Sequence, residues 1–568
     1  MAQKRWIVKE AAGQSQAEQL AGAINVDTAL AALLLQRGIS NYDEAKDFFR
    51  PSLKNLHDPF LLKDMDHAVR RLSLAIERNE RILIYGDYDV DGTTSVALVY
   101  GFLRRWYPRV DYYIPDRYDE GYGISAQGIQ YAEAQQCSLI ISLDCGIRAV
   151  ELVSEARERG IDFIIADHHR PGSPLPPAHA IINPKQSGCQ YPYKELCGCG
   201  VGFKLLQAFC LATKRPAGEL YQFLDLVAVA IAADIVPVTG ENRILAYYGL
   251  KTLNESPQPG LKALTEVAGL RFPLTIDNVV FGIAPRINAA GRMKHARAAV
   301  ELLLAQDEET TTRLATQLNQ QNSQRRGYDT DVTQQAIAMI QRDHRLEQAK
   351  STVLFDPSWH KGVVGIVASR CIEQYYRPTI ILTESNGKAT GSARSVPGFD
   401  LYAAINDCAD VLEQFGGHTH AAGLTLSIDN IPQFQERFEA SVAQKISQEQ
   451  LIPQLAIDQE ISLSDVTPRF YGVLKQLAPF GPGNMRPVLV SNNLEVVGHP
   501  QVLKEKHLKF SVRERGSNYC LNVIGFGMAH HYECVSNQQP FRMAYSVEEN
   551  HYNGHTSLQL TIRDLKSS

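Results

Sequence analysis

No stretch of 18 consecutive apolar residues occurs in the 568-residue chain, so no transmembrane helix is expected. The start, Met1-Ala2-Gln3-Lys4-Arg5-Trp6, has no signal-peptide core and predicts a protein that stays in the cytoplasm. None of the ten cysteines falls in a paired CxxC zinc pattern. Cys197-Gly198-Cys199 with Cys189 comes nearest, but reduced structural thiols are the better reading. Internal repeats and low-complexity tracts are absent. A basic excess is missing too: 57 Lys and Arg face 62 Asp and Glu, a formal net charge of −5. That argues against a generically basic nucleic-acid binder, while leaving room for a local basic groove.

The length predicts three or four domains. Apolar content of 44% and charged content of 21% are ordinary for a soluble globular protein. Residues 1–60 read as a helical segment. A βα rhythm follows over 61–297, with buried-strand runs at 81–85, 110–114, 139–143, 163–166 and 180–182. Helix patterns at 93–106, 125–135 and 149–159 lie between them, and another runs over 220–231. This predicts an α/β fold with a doubly wound, mainly parallel sheet. Residues 298–349 carry a long helical pattern and read as a connector helix. A smaller α/β region spans 350–450, with strands at 352–355, 379–383 and 388–394 around a helix at 363–375. Short β runs over 451–568 predict a small β-barrel.

Acids recur where predicted strands end. Asp87, Asp89 and Asp91 follow the first strand, Asp144 the third, and Asp167-His168-His169 the fourth. Asp234 follows a strongly apolar helix. In open α/β sheets the carboxyl ends of strands form the binding crevice. A single Asp after a strand serves well as a cap or turn former. The joint pattern exceeds any capping need, because clustered carboxylates repel and resist desolvation. A divalent metal answers that repulsion. Mostly carboxylate oxygen with imidazole suits Mn2+ or Mg2+, and the number of acids suggests two ions sharing a carboxylate.

Asp87-Tyr88-Asp89-Val90-Asp91-Gly92, Asp144-Cys145-Gly146 and Asp167-His168-His169 together resemble the DHH phosphoesterase superfamily. Gly391-Ser392-Ala393-Arg394-Ser395 and Phe415-Gly416-Gly417-His418 resemble the associated DHHA1 domain. With Pro285–Arg292 before the connector and a barrel after both domains, the chain is similar to the RecJ branch over roughly residues 60–565. The resemblance implies a single-stranded-DNA-specific 5′→3′ exonuclease, a metal-dependent hydrolase of DNA repair and recombination. It releases 5′-mononucleotides or short oligonucleotides, and the barrel is expected to be an OB-fold. Asp89 and Asp144, with Asp87, would hold one ion; Asp91, Asp144, His168 and Asp234 would hold the other. His169 would face the scissile phosphate, and Asp167 would orient the histidine ligand. Many relatives carry histidine where Asp87 stands.

The resemblance also implies a 5′-phosphate pocket of Arg117, Ser392 and Arg394, and places His418 at the cleft. From its neighbours alone, Arg117 either grips a phosphate or pairs with Asp119 or Glu120. Arg286, Asn288, Arg292, Lys294, His295 and Arg297 form the densest cationic stretch, which reads as a single-strand track or as a solvated helix start. Phe415–His418 could also be a tight turn. The barrel aromatics Phe510, Tyr519 and Phe526 read as core. The implied partners are single-stranded DNA with a 5′ end, a single-strand-binding protein and a RecQ-type helicase, with no membrane and a monomeric state. Two alternatives stay open: a DHH phosphodiesterase acting on nanoRNA or cyclic dinucleotides, and a non-catalytic replisome scaffold.

Overall fold

The computed structural model describes residues 4–10, 13–552 and 554–567. Met1–Gln3, part of the start read above for a leader, lie outside them. The N-terminal segment is not purely helical. It opens with strand β1 (Arg5–Val8), followed by helices Gln14–Ile24, Thr28–Leu35 and Tyr42–Phe49.

Strands β2 (Arg81–Gly86), β3 (Val110–Tyr113), β4 (Cys137–Leu143), β5 (Asp162–Ala166) and β6 (Ala180–Ile182) form one parallel sheet, ordered β3-β2-β4-β5-β6. Both faces are covered, which is why these strands read as unbroken apolar runs. Ile82 and Ile84 enter one core and Leu83 and Tyr85 the other. The strand order reverses at β2 and β4, so the binding crevice lies at their carboxyl ends.

Helix α1 (Val90–Arg104) begins three residues earlier than the sequence pattern suggests, because the Asp89 side chain caps it. Helix α2 (Gly198–Thr213) and helix α3 (Leu224–Ala233) pack on the same face and contribute heavily to its core. The pattern over 220–231 divides into Ala217–Tyr221 and α3, with buried Phe223 between them. A π-helical turn, Val279–Ile283, leads into α4 (Ala284–Met293).

The connector is two helices rather than one. Arg297–Leu304 ends at Ala305, and the 35-residue helix α5 (Glu308–Arg342) starts where Asp307 accepts from the Thr310 amide at 2.8 Å. At 1.5 Å per residue α5 spans about 50 Å.

The second α/β region contains β7 (Thr352–Phe355), α6 (Val364–Tyr375), β8 (Thr379–Ser385), β9 (Lys388–Arg394), β10 (Gln414–His418) and β11 (Ala421–Leu426), in sheet order β10-β11-β9-β8-β7. Phe415–His418 is therefore an edge strand and not only a tight turn. Its glycines hide the alternation that would have marked it.

Strand β12 (Gln454–Ile457) pairs in parallel with β1. Strands β13 (Gln459–Glu460), β14 (Leu489–Leu503), β15 (His507–Glu514), β16 (Cys520–Gly525), β17 (Phe541–Tyr552) and β18 (His555–Ser567) follow, and pairing of β14 with β17 closes a five-stranded barrel. Phe510 is core, and half-buried Tyr519 packs against that core. Phe526 is not core: it is 63% exposed.

Candidate metal centre

The acids converge as the strand ends require. Asp87 follows β2 and is fully buried. The loop after it folds tightly onto itself, and a Cβ on Gly92 would lie 2.4 Å from the Asp87 carbonyl oxygen. Asp89 accepts from the Gly92 amide at 3.0 Å with one carboxylate oxygen, leaving the other free of that bond. Asp91, in the first turn of α1, accepts from the amides of Gly198 and Cys199 at 2.6 and 2.7 Å. The positive end of α2 thus faces that carboxylate. Asp144 follows β4 with φ 59°, and a Cβ on Gly198 would lie 2.5 Å from its Cβ. Only glycine lets α2 approach this closely.

His168 Nε2 lies 3.1 Å from Asp144 Oδ1, 3.6 Å from Asp234 Oδ2 and 3.8 Å from Asp91 Oδ2. Two donor triplets result: Asp91, His168 and Asp234, and Asp144, His168 and His169, each with ligand atoms within 4.8 Å of one another. Asp87 and Asp89 stand outside both triplets, although Asp89 and Asp234 both line the adjoining cavity of about 300 Å³.

Burial and neighbouring carboxylates push the acids up. Asp91 rises to about 7 and Asp234 to about 8, while Asp87 and Asp144 rise well above the carboxylate range. Burial, with His169 nearby, holds His168 down to about 3, the neutral form a metal requires. Asp87 Oδ2, Asp144 Oδ1 and His168 Nε2 are buried without any hydrogen-bond partner. Each such group costs about 1–3 kcal/mol if nothing meets it. Carboxylate oxygens and one shared imidazole form a donor set that fits Mn2+ or Mg2+.

Asp167 departs from its expected role. Its Oδ1 accepts from the amides of His168 and His169 and from His169 Nδ1 at 2.8 Å, and its Oδ2 from the Ile147 amide. It therefore fixes the ring of His169 and not that of the shared ligand His168. Burial disfavours charge on both partners, but their bond prevails: His169 is lifted to about 9 and Asp167 drawn to about 2. Tyr122 Oη sits 3.2 Å from His169 Nε2, on the cavity side.

Three family models match this chain: the DHH family N-terminal domain over residues 81–231, the DHHA1 domain over 348–444 and the RecJ OB domain over 457–564. The single-stranded-DNA-specific exonuclease RecJ of Bacillus subtilis is 36% identical over 565 residues, covering 99% of this chain and 70% of the relative. That of Escherichia coli is 32% identical over 558 residues, covering 94% and 95%. The chain belongs to the RecJ family. RecJ from Thermus thermophilus, crystallised with Mn2+, superposes with a TM-score of 0.85 at 29% identity, covering 99% of this chain and 80% of that one. A further exonuclease RecJ bound to manganese matches at 34% identity and a TM-score of 0.61, covering 70% and 97%.

The substrate-side residues split into two groups against this RecJ frame. Arg117 lies over the Tyr88 ring at 4.7 Å, while Glu120 is engaged by Tyr113, Ser125 and the Asp116 amide. The ion pair left open for Arg117 with Glu120 is not formed. Arg117, Asn288 and Arg292 line the cavity. Ser392 Oγ accepts from Arg394 Nη1 at 2.7 Å. Burial lowers Arg292 to about 10, and Arg117, Arg325 and Arg394 lower it further as like charges. Arg292 and Arg394 hydrogen-bond only neutral groups, the Gly362 carbonyl for the first and Ser392 and the Ala393 carbonyl for the second. His418 is exposed, two strands from Arg394 in the cross-strand row His418–Ala421–Arg394.

Arg286 does not join them. It is held by Asn319 Oδ1 at 3.0 Å and the Gly282 carbonyl at 2.6 Å, so it ties α4 to α5. Arg297 pairs with Glu301 at 3.0 Å, and Lys294 and His295 are exposed. Arg325 on α5 is missed by sequence reasoning, yet it reaches the arginine group, and its buried Nε has no partner. Nothing in the polar helical pattern around it marks it.

Proposed function

We propose that this chain is a single-stranded-DNA-specific exonuclease that removes nucleotides from the 5′ end, using Mn2+ or Mg2+. One observation carries the reading. Asp87, Asp89, Asp91 and Asp234 line one cavity together with Arg117 and Arg292, neither of which has an acidic hydrogen-bond partner, and Arg394 lies close enough to act on Arg292. The arginines offer a fixed anchor for a terminal phosphate, and the distance from anchor to metal centre selects the bond to be cut.

Asp91, Asp144, His168 and Asp234 would hold one ion, and Asp89 and Asp144, with Asp87, the other. When bound, the ions neutralise the carboxylates, polarise the scissile phosphate and make water acidic enough to act as the nucleophile. The protein's own groups then position the strand. His169, lifted to about 9 and fixed at Nδ1 by Asp167, is 44% exposed beside the metal ligands, and its ring would meet a phosphate oxygen as a donor. Arg292 and Asn288 face the same space and hold the backbone. The filled donor set argues against a scaffold without activity.

The test offers a long single strand labelled at either end, with Mn2+ or with chelator. Loss of label from the 5′ end first, only with metal, supports the reading; shortening from the 3′ end sinks it. Asp144→Ala is expected to abolish turnover while DNA binding falls less. Arg394→Ala is expected to erase the preference for a 5′-phosphate over a 5′-hydroxyl, and an unchanged rate ratio would remove the pocket. We also propose that the enzyme acts as a monomer in the cytoplasm, where its ten unpaired cysteines stay reduced. Its proposed partners are a single-strand-binding protein and a RecQ-type helicase, a family expectation that co-purification would test.

A further inference from the structure

Helix α3 ends at Ala233, Asp234 caps it, and the next residue turns into the left-handed region. That stop is ordinarily made by glycine, because a side chain there crowds its own backbone. Here the residue is Ile235, at φ 60°. The other non-glycine residues at positive φ are mostly Asn, Asp, Gln, Lys or Glu; among the described residues Ile235 is the only β-branched one. For a β-branched residue this conformation is a genuine outlier. The side chain also returns little to the core, because it is 66% exposed. Ala233 and Asp234, the two residues before it, line the cavity of the metal centre. Ile235 therefore combines backbone strain and solvent exposure with a place directly after two residues that line the cavity. Strain of this kind persists where it serves a site.

We infer that Ile235 is a substrate-contact residue, an apolar ledge for the nucleoside beside the scissile phosphate. This rests on the exonuclease reading. A large exposed aliphatic group costs the free protein both strain and apolar hydration, and both are offset once a sugar or base covers it. Glycine would make the same helix stop without strain, so what isoleucine adds at this position is its side chain and not the turn.

The test compares wild type with Ile235→Gly and Ile235→Val in the full chain. Binding of a 5′-phosphorylated oligodeoxythymidine is read by fluorescence anisotropy with Ca2+ in place of Mn2+, so the reading does not depend on cleavage. Mn2+ affinity is measured separately by calorimetry. Ile235→Gly is expected to raise the melting temperature, weaken strand binding about tenfold and leave Mn2+ affinity unchanged. Ile235→Val is expected to recover most of the binding. An abasic site at the contacted nucleotide assigns the ledge to the base if it erases the difference between wild type and Ile235→Gly, and to the sugar if the difference persists. Unchanged strand binding in Ile235→Gly overturns the inference. So does a parallel loss of Mn2+ affinity, which would make Ile235 a support for Asp234 alone. A wild type that binds the strand but never shortens it would overturn the exonuclease reading instead, and the binding contrast would still decide the role of Ile235.

Discussion

At the scale of single residues, the metal centre is a charge problem that the free protein solves with protons. Asp91 near 7 and Asp234 near 8 are raised by burial and by the surrounding carboxylates, with Asp89 acting on both. Their unfolded-chain value is about 3.9. A carboxylate raised in the folded state binds its proton more tightly there than in the unfolded chain. Metal-free stability is therefore fullest below about pH 4 as far as these groups decide it, and falls as pH rises toward about 8. Divalent ions replace those protons and remove the dependence. The melting-temperature gap between Mn2+-loaded and chelated protein should widen steadily from acidic to alkaline pH. A calorimetric series through that window checks it, and a constant gap would mean that these acids are ionised without metal.

At the scale of elements, the centre depends on how close α2 comes to β4. The Gly198 amide donates to Asp91, and its missing side chain makes room for Asp144. Gly198→Ala puts a methyl 2.5 Å from the Asp144 Cβ, so helix and loop must separate. Overpacking of this kind costs about 1–3 kcal/mol. We expect Mn2+ affinity to fall at least about tenfold, as a shift of about 1.4 kcal/mol implies, while circular dichroism shows the helix intact; titration calorimetry measures the loss. What is legible in the sequence follows the same division. The strands β2, β4 and β5 can be read because each is an apolar run buried on both faces, and the acids can be read because chain topology places strand ends together. Asp167 gives its true partner only in three dimensions: its neighbours His168 and His169 are equally near in sequence, and loop geometry alone chooses the second ring. Arg325 is illegible for a different reason. A polar helix carries many exposed cations, and only the packing of α5 decides which one turns inward. The strands β10 and β11 escape because Gly416, Gly417 and Gly423 remove the alternation on which strand reading depends.

At the scale of the whole molecule, the two ends of the chain build one unit. Strand β1 pairs with β12, Trp6 Nε1 donates to Asp564 at 2.6 Å, and Leu30 and Leu33 from the second N-terminal helix sit in the barrel core. Arg243 joins that unit to the parallel-sheet domain. Its guanidinium donates to the carbonyls of Phe48, Leu477 and Ala478 and stacks over the Phe48 ring at 3.7 Å. Burial and nearby Arg37 lower it to about 10, so it stays charged without a carboxylate and relies on carbonyl oxygens for its solvation. The two contacts predict different failures. Leu33→Ala opens a cavity in the barrel and should cost about 2–5 kcal/mol there, while Mn2+ affinity at the distant sheet stays within about twofold. Arg243→Met removes the staple and leaves the Phe48 and Ala478 carbonyls without that donor, while Leu477 keeps Asn484 Nδ2, at about 1–3 kcal/mol for each that water does not reach. That variant should separate the thermal transition of the barrel from that of the metal-binding domain. Differential scanning calorimetry with and without Mn2+ distinguishes them, because only the transition of the sheet domain moves with metal. If Leu33→Ala instead lowers the metal-sensitive transition by the same amount, barrel and catalytic domain melt as one body, and Arg243 is not the joint between them.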